Sequence, residues 1–261
     1  MALMTHDGNG IGHTRQTIFR FHGELNDFLP RERRSRAFSR DVPPKAAVKD
    51  VIESLGVPHT EVDVILVNGE SAGFFCQLEG GEQIEVYPWS LVPPVAPVCH
   101  LRPRPAPRPR FVLDAHLGKL ARHLRLLGFD CRYHHAIEDD EIAKLAESEK
   151  RIVLSRDRGL LMRRRIEQAH FVRNIKPLAQ LEEVCSTFDL VNALAPFTRC
   201  TRCNGLLVEV DKADVQDRLE PRTRAHVEHF FECENCGHLY WHGSHVERMR
   251  SMVERLRKRL Q

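Results

Sequence analysis

Three apolar runs in this chain each lead to an acid: Phe111-Val112-Leu113 to Asp114, Phe129 to Tyr133 on to Asp139-Asp140, and Ile152-Val153-Leu154-Ser155-Arg156 to Asp157. If the runs are neighbouring parallel strands, their acids gather at the carboxyl ends of one sheet, where open α/β sheets hold ligands. Clustered carboxylate oxygens suit Mg²⁺ or Mn²⁺. A cation there neutralises an anionic phosphodiester and lowers the pKa of a bound water, so the chemistry on offer is phosphodiester hydrolysis. Asp114, Asp139 and Asp157 are the candidate catalytic metal ligands. Asp140 is the substitute for Asp139, Glu141 is a weaker candidate, and Ser155 adds a hydroxyl. Lys119, Arg156 and Arg158 are candidates for gripping substrate phosphates, since guanidinium presents paired donors to them. The structural alternative is plain: an Asp between strand and helix caps backbone N–H groups, and Asp139-Asp140-Glu141 complement a helix dipole. Acids at three successive strand ends favour the site.

A second chemistry lies downstream. Cys200-Thr-Arg-Cys203 and Cys233-Glu-Asn-Cys236 are two C-x-x-C knuckles flanking residues 204–232. Four thiolates close a tetrahedral shell around Zn²⁺ and leave no open position for water, so this zinc would be structural. Redox use of a C-x-x-C motif would need only one pair. Leu206 to Val210 and His229 to Glu232 read as strands that bring the knuckles together as a zinc ribbon. His242 and His245 are alternative ligands near the second knuckle. Phe197, Tyr240 and Trp241 lie close to Arg199 and Arg202, a combination that grips unstacked bases, and Trp241 is the candidate substrate contact. Aromatics beside a zinc knuckle also serve as its miniature core.

The elements that must position these residues follow from spacing. At 261 residues and 42% apolar content the chain is long enough for three small modules. The first is β-rich: Thr17 to His22 alternates as a strand, 31–40 is an Arg-rich loop, 46–55 has helical spacing, and Val62 to Val67 runs into the turn Asn68-Gly69. Gln83 to Tyr87 is a further strand. Residues 93–109 are a Pro/Arg-rich linker. Strand and helix then alternate over 110–192, with helices over 114–127, from Asp139, over 158–168 and over 178–188, and a strand over 170–172. That alternation specifies α/β with a parallel sheet. Residues 193–261 hold the ribbon and a basic amphipathic helix over 246–260.

Net charge is only +3, yet arginines cluster over 102–110, over 151–165 and near the carboxyl end. Such blocks attract phosphate backbones or form solvated surface. Of eight cysteines, four have zinc spacing and Cys76, Cys99, Cys131 and Cys185 are scattered, the usage of a reducing compartment. With no signal peptide and no membrane span, the expectation is a cytoplasmic protein without membrane partners.

Two resemblances sharpen this reading. From about 15 to 92 the chain resembles the β-grasp, ubiquitin-like fold of the sulfur carriers, notably in Leu66-Val67-Asn68-Gly69 and Ile84-Glu-Val-Tyr-Pro88. Those carriers work through a free Gly-Gly carboxyl terminus, whereas this chain continues past Trp89, so the module implies recognition, with a possible protein partner, or scaffolding. Leu113-Asp114-Ala-His-Leu-Gly-Lys119 through Gly128, Asp139-Asp140-Glu-Ile142, Leu154-Ser-Arg-Asp157-Arg-Gly-Leu-Leu161 and the segments around both knuckles resemble the Mut7-C RNase family, a PIN-like nuclease domain with a zinc ribbon. The match covers about 110–252, and a β-grasp module is a companion of that family. The resemblance implies a metal-dependent ribonuclease centred on Asp114, Asp139 or Asp140, and Asp157, acting on RNA, with tRNA or ribosomal RNA among the targets. PIN domains often have a fourth acid, and Asp189 is only a weak match. The alternative function is a non-catalytic RNA- or ribosome-binding protein with structural acids.

Overall fold

The computed structural model describes residues 16–241, together with 254, 255 and 258. His242, His245 and most of the helix expected over 246–260 lie outside the described residues. The chain divides into two compact units, Met1–Arg102 and Pro103–Gln261.

The first unit contains β1 (Gln16–Phe21), β2 (Phe38–Asp41), β3 (Ala46–Ala47), α1 (Val48–Ser54), β4 (Val62–Val67), β5 (Glu70–Ala72), β6 (Gln77–Leu78) and β7 (Gln83–Pro88). Five strands form one sheet in the order β2-β1-β7-β4-β5, with β1 and β7 parallel at its centre, and β3 pairs with β6 separately. This is a β-grasp arrangement. In β1, Thr17, Phe19 and Phe21 are buried while the residues between them face out, the period of a half-buried strand. Asn68 and Gly69 both have positive φ, as a two-residue hairpin between β4 and β5 requires. The Arg-rich segment expected as loop ends instead in the edge strand β2. Its Phe38 stacks with Phe19 and Phe21 at 6.3 and 6.2 Å, and this packing draws a charged stretch into the sheet.

Part of the expected linker, 93–109, belongs to this unit. Val95 and Val98 pack on Val64, Leu66 and Tyr87. Asp63, 2% exposed, accepts hydrogen bonds from His100 Nδ1 at 2.6 Å and the Arg102 amide at 3.2 Å, and its carbonyl accepts from the Leu101 amide at 2.7 Å.

The second unit begins with β8 (Phe111–Leu113), α2 (Gly118–Leu126), β9 (Cys131–Arg132), α3 (Asp139–Glu149), β10 (Ile152–Ser155), α4 (Arg158–Leu161), β11 (Ala169–Phe171) and α5 (Pro177–Thr187). Its four strands are all parallel, in the order β11-β10-β8-β9. Alternate residues serve opposite faces: Phe111, Leu113, Ile152 and Leu154 pack with Leu120 and Leu124 of α2 and Val184 of α5. Val112 and Val153 pack with Ile142 of α3 and Leu161 of α4. Covering both faces explains why these short strands read as continuous apolar runs. Helix α2 ends as its residues dictate, with Gly128 at φ +90°, its amide on the Arg125 carbonyl and the Phe129 amide on that of Leu124, a paired carboxyl cap. The helix expected over 158–168 stops at Leu161. Positions 164 and 165, where its apolar stripe would continue, are arginines, and the next buried apolar side chain is Ile166.

The ribbon comprises β12 (Leu207–Val210), the short helices α6 (Lys212–Val215) and α7 (Pro221–His226), β13 (Phe230–Cys233) and β14 (Leu239–Trp241), with the three strands antiparallel in that order. Val215, Leu219 and Phe230 form its core. The two short helices and β14 were not foreseen, because segments of three to six residues carry too little periodicity.

Candidate functional site

Asp114 follows β8 and Asp157 follows β10, so neighbouring parallel strands deliver both acids to one carboxyl edge. Ser155, fully buried at the end of β10, joins them. Its hydroxyl donates to Asp114 Oδ2 at 2.7 Å and accepts from the Asp157 amide at 2.8 Å. Each acid also caps the turn it opens: Asp114 Oδ1 accepts from the His116 amide at 3.2 Å, and Asp157 Oδ1 from the Gly159 amide at 2.7 Å. The side chains that meet through Ser155 are therefore also the ones that cap the local turns.

Asp139 and Asp140 stand in the first turn of α3, where acids favour the positive end of the dipole. Arg163 bridges them, with one guanidinium nitrogen 3.4 Å from Asp139 Oδ2 and another in close contact with Asp140 Oδ1. This partner was not anticipated from sequence, although Arg163 lies in the arginine block over 151–165. Among the described residues these acids do not form a group of three or more close-set metal-ligating side chains.

The candidate cations differ in their commitments. Arg156 is engaged structurally, one nitrogen donating to the carbonyls of Val172, Arg173 and Asn174 at 2.9, 2.9 and 2.6 Å. Lys119 is exposed in the first turn of α2, just after Asp114, and Arg158 is exposed at the first position of α4.

The cysteines of the two knuckles converge. All four Sγ atoms lie within 4.8 Å of one another, with Cys200 and Cys236 at 3.7 Å and Cys203 and Cys233 at 3.3 Å. A tetrahedron with Zn–S arms of about 2.3 Å has edges of about 3.8 Å, so four thiols at this spacing suit a metal ion such as zinc. The turn is shaped for it: Asn204 adopts φ +71°, and a Cβ at Gly205 would lie 2.8 Å from Cys233 Sγ. Tyr240 Oη lies 3.1 Å from Cys200 Sγ and accepts from the Thr201 amide at 3.0 Å. Burial alone would raise the Cys200 thiol, but hydrogen bonds from Tyr240 and the backbone amides of Cys203 and Arg202 bring it down to about 7. Tyr240 is thus part of the knuckle. Trp241, 39% exposed, retains an open face.

The first knuckle is fastened to the edge of the four-stranded parallel sheet. Arg125, 3% exposed, donates through Nε and one terminal nitrogen to the Cys131 carbonyl at 3.0 and 2.8 Å, and through the other to the carbonyls of Arg202 and Thr201 at 2.9 and 3.3 Å. Asn204 Oδ1 accepts from the Cys131 amide at 2.9 Å, and its Nδ2 donates to Asp130 Oδ1 at 2.8 Å. Burial opposes charge on Asp130, but hydrogen bonds from Arg151 and Asn204 and the nearby guanidiniums of Arg151 and Arg199 hold its carboxyl below the usual range.

Two family models match. The Mut7-C RNase domain covers residues 109–253 and the Mut7-C ubiquitin domain covers 14–91. The chain belongs to the Mut7-C RNase family. No curated protein matches this Mut7-C chain. Among solved structures, small archaeal modifier protein 1 of H. volcanii is 19% identical, over 28% of this chain and 97% of that one, with a TM-score of 0.24. In this Mut7-C protein, among the described residues, no helix is long and apolar enough to cross a membrane.

Proposed function

We propose that this protein is a metal-dependent ribonuclease whose working edge is built on Asp114 and Asp157. The observation that carries this reading, beside family membership, is the hydroxyl of Ser155 tying acids from two adjacent parallel strands to one point. The donor set fits a hard cation. Mg²⁺ keeps several waters and needs only one or two protein carboxylates plus substrate phosphate. Carboxylates have about four acceptor positions, of which Asp114 uses two and Asp157 one in the bonds described above, so lone pairs remain.

Mg²⁺ or Mn²⁺, when bound, supplies charge neutralisation and an activated water. The remaining roles fall to the chain. Asp114 and Asp157 hold the ion, Ser155 fixes their orientation, and Lys119 and Arg158 bind flanking phosphates. Asp139 or Asp140, paired with Arg163, would be the third acid of the site. Cys200, Cys203, Cys233 and Cys236 hold a structural zinc ion, and Trp241 offers a ring to an unstacked base.

One observation favours the alternative of an RNA-binding protein without turnover: both acids accept local backbone N–H bonds, as structural caps do. Incubation of purified protein with labelled RNA and Mg²⁺ or Mn²⁺ separates the two. Cleavage that falls at least 100-fold in the Asp114→Asn, Asp157→Asn double variant is the expected result. Salt-sensitive binding with no cleavage by the unaltered protein would establish the alternative.

A further inference from the structure

The arginine block over 102–110 plays no part in the acidic edge. Arg110 immediately precedes β8, and Asp114 immediately follows it. At about 3.3 Å per residue the two positions are about 13 Å apart along the strand, on opposite edges of the sheet. At the amino edge, Arg108 and Arg110 line a cavity of about 350 Å³ together with Arg199, which stands next to the first knuckle cysteine. Three guanidiniums meet one carboxylate there, that of Asp130. It is already engaged by Arg151 at 2.8 Å, Asn204 at 2.8 Å and Arg199 at 3.6 Å.

A second cavity, of about 510 Å³, lies beside the first, with Arg108 and Ala195 lining both. Side by side, the two hollows make a groove with one shared wall. Its chemistry changes along its length. The first cavity carries three arginines and the half-exposed side chain of Leu206, while Asp189 and Asn192 line the second beside Arg108. Arg110 donates to the Glu149 carbonyl and Arg199 to the Asn204 carbonyl, so both forks are held in place. Arg108 is exposed and has no hydrogen-bond or ion-pair partner among the described residues.

We propose that this groove is a second RNA site, which holds the backbone of a single strand on the sheet edge opposite the acids. It takes RNA as the ligand from the function proposed above, but it is a separate surface. Fixed guanidiniums at one end suit phosphate oxygens. Leu206 and Ala195 supply apolar contact for a sugar or base face. Asp189 and Asn192 provide acceptors for exocyclic base amines, which only an unpaired base presents freely. A strand bound here would be retained while another part of it lies at the acidic edge.

The test uses the full chain carrying Asp114→Asn and Asp157→Asn, so that binding is measured without cleavage whether or not the native protein cuts RNA. Anisotropy of a short labelled single-stranded RNA is followed across a salt series for this chain and for derivatives with Arg108→Glu or Arg31→Glu. Arg31 is exposed in the first unit and gives the same change of charge. The expected result is about tenfold weaker binding and a shallower salt dependence for Arg108→Glu alone, with its thermal midpoint unchanged. Equal affinities for the two derivatives would overturn the proposal. So would an Arg108-dependent affinity as high for duplex RNA as for the single strand, or displacement of the strand by inorganic phosphate at the same concentration.

Discussion

Ser155 shows how one buried hydroxyl carries two obligations. It donates to Asp114 and accepts from the Asp157 amide, so Ser155→Ala removes a donor from one acid and strands the amide of the other. A buried group left without its partner costs about 1–3 kcal/mol, and the expected effect on stability is about 1–2 kcal/mol in a urea titration. If the hydroxyl orients a working site, cleavage falls further than the stability loss explains, with kcat reduced at a temperature where the variant remains folded. An unchanged kcat would leave Ser155 as a turn-former only. At this scale the sequence was informative about types and poor about commitments. Asp114 and Asp157 were legible because each follows an apolar run. The claim of Arg163 on Asp139 and Asp140 was not, because it depends on α4 ending after one turn, and that ending is set by where Ile166 finds the core. Nor did anything in the chain show that Arg156 would turn back onto three carbonyls.

Between elements, the contact that matters most joins the first knuckle to β9. That strand has two residues and lies at the edge of the sheet, and Arg125 and Asn204 both bond its Cys131. Pairing of the strands could be anticipated from their alternation with helices, and the knuckles from their spacing. The clamp could not, since Arg125 sits on the buried face of a helix where a guanidinium is exceptional. Metal removal should therefore propagate. With a thiol-specific zinc chelator, the Cys131 amide, which donates to Asn204, is expected to lose hydrogen-exchange protection. The Val153 amide in β10, bonded to the Gln168 carbonyl, should retain it. Simultaneous loss at both positions would mean that the sheet unfolds as a whole with the ribbon, and unchanged protection at Cys131 would mean that β9 stands without the knuckle.

Across the whole molecule, composition marks 93–109 as a linker, and in the folded chain part of that stretch is held against the first unit. Residues 93–102 are Pro- and Arg-bearing and lack periodicity, so they read as a tether, and the matched ubiquitin-like region also ends before them, at residue 91. In the folded chain they pack as an extended strap on β4 and β7. Such a strap has no periodic signature, because its two valines are fixed by the surface they cover rather than by a regular backbone. Two fragments of the first unit separate tether from strap, one covering residues 14–91 and the other 14–102. The longer fragment gains partial burial of Val95 and Val98 and restores partners to the buried carboxylate of Asp63. The expected outcome is a higher urea midpoint for the longer fragment at neutral pH, and Asp63→Ala in that fragment should abolish the difference. Identical midpoints for the two fragments would show that the strap rests on the sheet without holding it, and that the tether begins, as its composition suggests, directly after residue 92.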